Sequence, residues 1–215
     1  MKAVLFDLDN TLYPAERDLF SLIDVRINHY MQTQVGIEQQ EVDTLRRRYW
    51  KDYGTTLQGL IRHHEVDPED YLTYVHEVDV GSRLSQDAKL RQVIESLGVP
   101  SYVFTNGSRC HVDRVLAALG LEGVFAGIFD IRVANYQPKP NPDPYQQILE
   151  HLQLLGDHCV MVEDQSLNLK TAKQFGMKTV LVGNGQPNQA LESYVDARLA
   201  SPVEIAPLLE DWMNS

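Results

Sequence analysis

Two aspartates one residue apart, Asp7 and Asp9, follow the apolar run Ala3-Val4-Leu5-Phe6 near the start of this 215-residue chain. Carboxylates roughly 5–7 Å apart repel by a few kcal/mol at a protein-like effective dielectric, so the pair invites a divalent cation. Further polar groups follow: Thr105 with Asn106, Lys139 among prolines, and Glu163 with Asp164. Asp7 and Asp164 could hold a magnesium ion, Lys139 adds fixed positive charge, and Thr105 offers a hydroxyl beside backbone N–H groups. That set suits a carboxylate nucleophile meeting a phosphate dianion, where charge repulsion must be cancelled. Each piece alone has a plainer reading. A lone DxD is commonly a turn or cap, Asn106-Gly107 a tight turn, Lys139 a solvated lysine, and Glu163-Asp164 a helix N-terminus compensated by acid. Their occurrence together at successive strand ends points to a site.

Those strand ends come from the hydrophobic pattern. Ala3 to Phe6 reads as a strand buried on both faces of a parallel sheet. From Ala88 onward helix and strand alternate: a helix over Lys89–Leu97, a strand over Tyr102–Phe104, a helix closed by Gly120, and a strand over Ile128–Val133. A helix opened by the stretch Pro138–Pro144 follows, then a strand over Cys159–Val162, a helix stopped by Gly176, and a strand over Thr179–Val182. Repeated units of this length imply an α/β fold, a Rossmann-like parallel sheet flanked by helices with right-handed crossovers. All strand carboxyl ends then share one edge, where such sheets bind ligands. Between Ala15 and Ser85 the pattern is helical only. Leu19, Leu22, Ile23, Ile27, Tyr30 and Met31 form one stripe, a second helix spans Ile37–Tyr53, and shorter ones cover Thr55–His64 and Pro68–His76. The expected division is a core of residues 1–14 and 86–215 with a helical insert over 15–85.

The net charge of −11 argues against a nucleic-acid polymer or an anionic membrane as partner. No apolar stretch reaches membrane-spanning length and no signal-peptide pattern precedes the first strand, while Cys110 and Cys159 lack metal-ligand spacing. A cytoplasmic protein is expected. The sequence sets no oligomeric state.

Four segments carry a family resemblance. FDLDNT (6–11), VFTNG (103–107), QPKPNPDPY (137–145) and VEDQSLN (162–168) resemble, in order, the four motifs of the haloacid dehalogenase-like hydrolase superfamily. The resemblance implies Asp7 as the nucleophile that forms an aspartyl-phosphate and Asp9 as general acid and base. It implies that Thr105 and the Asn106 amide hold the phosphate while Lys139 neutralises charge. Magnesium would be bound by the Asp7 and Asp164 side chains and the Asp9 carbonyl, with Glu163 acting through water. The helical insert would be the cap that selects a small phosphomonoester. Gln165 stands where many relatives have serine. Asp9 speaks for phosphatase rather than dehalogenase chemistry, because a departing halide needs no proton.

Two insert segments, DYGTTLQGL (52–60) and YLTYVHEVDV (71–80), resemble the pyrimidine 5′-nucleotidase branch. The implied substrate is a nucleoside 5′-monophosphate, UMP or CMP. Tyr53 would stack on the base, Thr55 and Thr56 would offer hydroxyls, and His76 would meet ribose or phosphate. Thr55 could equally cap a helix. A sugar-phosphate or phosphoglycolate phosphatase of broad specificity is the alternative, and a partner-binding domain without catalysis a third. His29, His63, His64, His111, His151 and His158 show no ligand spacing and are expected at the surface or in packing.

Overall fold

The computed structural model describes residues 1–183 and 190–214; positions 184–189 and 215 of the expected core lie outside them. Strands β1 (Ala3–Phe6), β2 (Ser101–Phe104), β3 (Gly127–Phe129), β4 (Cys159–Glu163), β5 (Lys178–Val182) and β6 (Ala197–Leu199) form one sheet in the order β3-β2-β1-β4-β5-β6. All pairings are parallel. β1 is central, and its alternation splits the core. Val4 and Phe6 enter one apolar cluster with Leu90, Val115 and Ile205, and Ala3 and Leu5 enter another with Phe104, Tyr145 and Met161. Complete burial of all four side chains explains the unbroken apolar run.

Strand order reverses between β1 and β4. The chain runs outward through β2 and β3, then returns to the other side of β1, so a crevice opens at the carboxyl ends of β1 and β4. Register brings Phe6 beside both Val103 and Val162. The next residues out, Asp7, Phe104 and Glu163, therefore share the top edge.

Helices α1 (Leu19–Thr33), α2 (Gln39–Tyr53), α3 (Thr56–His64) and α4 (Pro68–Val75) occupy the segment between β1 and α5 (Ala88–Glu95). They gather around their own apolar cluster, which includes Ile23, Ile27, Tyr49, Leu60 and Leu72, and Ile131, just after β3, joins it. α2 ends at Gly54, whose φ of +85° is left-handed and suits glycine. An added Cβ there would meet Pro138 Cγ at 3.2 Å, so this turn abuts the Lys139 loop. Gly59 lets α3 close on α2, because a Cβ would lie 2.0 Å from the Tyr49 ring.

Helices α6 (Arg109–Leu119), α7 (Pro142–Leu152), α8 (Ser166–Gln174) and α9 (Ile205–Asn214) complete the layers. The strand expected over Ile128–Val133 stops at Phe129. Asp130 turns the chain into a short 3-10 segment, Ile131–Ala134, by accepting the N–H groups of Arg132 and Arg109. β6 and α9 lie beyond the last strand read from the sequence. No helix among the described residues is long and apolar enough to cross a membrane.

Candidate active site

The sheet's top edge and α1–α4 enclose a cavity of about 820 Å³. Its floor is built by three strand ends and one loop. Asp7 continues β1, its N–H donating to the Val162 carbonyl over 2.9 Å. The chain leaves the sheet after Asp7 and turns through Asn10, whose left-handed φ of +62° Asn tolerates better than most residues. After β2, Thr105 accepts the Gly107 N–H over 2.9 Å, and Ser108 caps α6. Asn106 clasps the neighbouring loop. Its Oδ1 accepts the Lys139 N–H over 2.8 Å and its Nδ2 donates to the Lys139 carbonyl over 3.1 Å.

Lys139 is buried and uses three donors on three acceptors: Asp7 Oδ1 at 2.8 Å, the Phe104 carbonyl at 2.7 Å and Glu163 Oε1 at 2.9 Å. All three of its N–H bonds are thus committed, two of them to carboxylates. Glu163 is equally occupied, accepting from Lys139, Asn168 and the Gln165 N–H. Burial opposes charge on Lys139, but Asp7 and Glu163 outweigh it and raise its pKa. Burial also opposes charge on Glu163, and there Lys139 wins, lowering the pKa. Asp7 and Asp164 go the other way. Burial and then the Glu163 charge push Asp7 up to about 7 and Asp164 up to about 8.

One lysine facing these acids leaves the edge short of positive charge. Oxygens of Asp7, Glu163 and Asp164 all lie within 4.8 Å of one another, a hard-oxygen donor set fit for magnesium. The cluster forms between strands rather than within the DxD pair. The Asp9 carboxylate is not part of that cluster: its Oδ1 accepts Tyr13 O–H at 2.5 Å and His111 Nε2–H at 2.8 Å. Burial raises its proton affinity, yet His111 and Tyr13 outweigh that and lower the Asp9 pKa.

The remaining expected residues divide. Thr55 and Thr56 line the cavity, and the Thr55 hydroxyl caps α3 by accepting the Gln58 N–H at 3.3 Å. Tyr53 does not line it. The Tyr53 hydroxyl pairs with His63 Nε2 at 2.8 Å, so the ring packs along α3. His76 lines the cavity but is buried, with Nδ1 2.9 Å from Ser108 Oγ and its ring stacked on His111. Burial, then His111, lowers its pKa to about 3, so the ring is neutral.

Two features escaped the sequence reading. His111 is fully buried and bonded to Asp9; its place in the first turn of α6, just past Thr105-Asn106-Gly107, was the available signal. On α2, Asp43, Arg46, Arg47, Trp50 and Lys51 recur at helical spacing and face the cavity, as does Gly54 just beyond its end. Tyr49 and Tyr53 form the other stripe. Arg46 is tied to Asp24 and Asn28 on α1. The cavity's far wall is apolar, with Phe20, Ile23, Ile27, Leu57, Leu72 and Val75.

The family model described as haloacid dehalogenase-like hydrolase matches residues 1–176. Phosphate metabolism protein 8 of Saccharomyces cerevisiae is 25% identical over 195 residues, covering 84% of this chain and 61% of that protein. The chain thus spans less than two thirds of that relative's length. Phosphoglycolate phosphatase of Neisseria meningitidis is 26% identical over 209 residues, covering 92% of this chain and 86% of that one. The crystal structure of CbbY from Rhodobacter sphaeroides in complex with phosphate aligns with a TM-score of 0.65 at 22% identity, covering 95% and 96% of the two chains.

Proposed function

The chain belongs to the haloacid dehalogenase-like hydrolases, and within that family we propose a magnesium-dependent phosphatase of small phosphomonoesters. The observation that carries this reading is the different surroundings of the two aspartates. Asp7 is pinned by Lys139 beside an acidic cluster, while Asp9 carries a separate hydrogen-bond set, from His111 and Tyr13.

Asp7 attacks phosphorus, the bond to the leaving oxygen breaks, and Asp9 delivers a proton to that oxygen. Asp9 then takes a proton from water as that water attacks phosphorus and frees Asp7. The incoming phosphate dianion raises the proton affinity of Asp9, which the resting site holds low. Thr105 and the Asn106 backbone N–H receive phosphate oxygens. Asp7 and Asp164, with the Asp9 carbonyl, would hold magnesium, and Glu163 fixes Lys139 beside it. When bound, the ion supplies Lewis-acid neutralisation of the phosphoryl oxygens.

The helices α1–α4 act as the cap, and the preferred substrate is a pyrimidine nucleoside 5′-monophosphate. Supporting this are the cavity volume, the Thr55–Thr56 turn in its wall, and Trp50 and Phe20, half-exposed rings able to stack on a base. Trp50 takes the stacking role in place of Tyr53. A sugar-phosphate or phosphoglycolate substrate is the second reading, favoured by the Neisseria relative. The free thiols Cys110 and Cys159 accord with a cytoplasmic setting. A phosphate-release panel with magnesium decides between substrates. UMP and CMP are expected to exceed phosphoglycolate and hexose phosphates in kcat/KM; equal or reversed values would overturn the nucleotide assignment.

A further inference from the structure

The two side chains bonded to Asp9 use the same oxygen. Tyr13 O–H at 2.5 Å and His111 Nε2 at 2.8 Å both reach Oδ1. Nε2 facing a carboxylate oxygen must carry the hydrogen, since the other neutral tautomer would set lone pair against lone pair. The Nδ1 of His111 is buried and has no hydrogen-bond partner among the described residues. Oδ2 lies on the other side, toward the phosphate loop. A Cβ built on Gly107 would sit 3.8 Å from Asp9 Oδ2 and 3.4 Å from the Thr105 hydroxyl. Among the described residues no hydrogen bond to Oδ2 occurs.

His111 is itself fixed from behind. Its ring stacks on His76 with centroids 4.5 Å apart and planes 14° apart. His76 is held by Ser108 through Nδ1, and its carbonyl accepts from Arg114. Because His76 closes α4, the end of the helical layer is clamped against the residue that aims Asp9.

We propose that His111 and Tyr13 are positioning residues for acid–base catalysis, occupying Asp9 Oδ1 so that Oδ2 alone exchanges the proton with the leaving oxygen. His76 braces His111 in that task. The proposal rests on Asp9 being the general acid, and a test must separate the two claims. Protonation matters for a phosphate ester of an aliphatic alcohol and little for 4-nitrophenyl phosphate, whose leaving group departs as an anion. The specificity constant kcat/KM reports only steps up to departure of the first product, so the later hydrolysis does not blur the comparison.

Asp9→Asn is expected to cut kcat/KM for the alkyl ester roughly 10²-fold or more, with a much smaller loss on the aryl ester. Tyr13→Phe and His111→Ala are expected to reproduce that selectivity at roughly tenfold each, and His111→Gln, whose amide places a donor near the Nε2 position, to restore most of it. If Asp9→Asn shows no selectivity, the general-acid reading fails. If Asp9→Asn is selective while Tyr13→Phe and His111→Ala lower both substrates in parallel, or neither, the positioning claim fails alone. Tyr13→Phe removes one oxygen and decides the matter even if His111→Ala does not fold.

Discussion

The two halves of the cavity are built on opposite principles. On the sheet edge the polar groups are largely locked together: Lys139 to Asp7, Glu163 and a carbonyl, Asn106 to the Lys139 loop, and Asp9 to His111 and Tyr13. On the helical side the wall is mostly apolar, with half-exposed Phe20 and Trp50 and the exposed cations Arg47 and Lys51. Buried networks of the first kind fix one geometry, because leaving any member unpaired costs several kcal/mol. A wall of the second kind recognises by shape and area, and it accommodates change. The chemistry is therefore expected to break at single atoms, and the selectivity to shift by degrees.

Substitutions on the sheet edge should show the sharpest break. Asp7→Asn keeps the bond to Lys139 but removes the nucleophile, and phosphate release should fall by roughly 10⁴-fold or more while thermal unfolding changes little. Comparable activity in this variant would remove Asp7 from the mechanism. Lys139→Met leaves Asp7 and Glu163 facing each other in a buried space. Denaturant titration should show a loss of about 3–5 kcal/mol together with loss of turnover; unchanged stability would mean the network is looser than its distances imply.

Metal affinity offers a graded test of the same edge. With Asp7 raised to about 7 and Asp164 to about 8 by burial and the Glu163 charge, protons compete with magnesium at low pH. The sign follows directly: apparent magnesium affinity should rise from pH 6 to 8, by up to about tenfold per pH unit for each proton displaced, and level off above that. An affinity flat over this range would show the carboxylates already ionised. Smallest is the change on the helical side. Trp50→Ala should raise KM for a pyrimidine nucleotide roughly tenfold through lost stacking and leave phosphoglycolate nearly unchanged. Equal shifts on both substrates would deny the wall a part in choosing the base.

The same contrast explains what was legible in the sequence. Strand ends in a parallel sheet converge by topology, so Asp7, Thr105 and Glu163 could be brought together from apolar runs alone, whereas Lys139 arrives on a loop. Fold class followed from the alternation of strands and helices. The direction in which Asp9 turns was not legible, since it depends on Tyr13 four residues on and on His111 about a hundred residues away. Tyr53 and Trp50 differ by less than one helical turn, and only the packing of α3 against Tyr49 decides which faces the cavity. The strand read through Val133 failed for a local reason, the Asp130 side chain capping a turn where alternation suggested pairing.

The most direct test of the mechanism is acid quenching during turnover of a phosphomonoester with magnesium, followed by mass spectrometry of the peptide containing residues 1–14. A phosphoryl group on Asp7, absent from Asp7→Asn and lost on further incubation, is the expected result. Steady phosphate release with no phosphoryl adduct on that peptide, or an adduct on another residue, would contradict it.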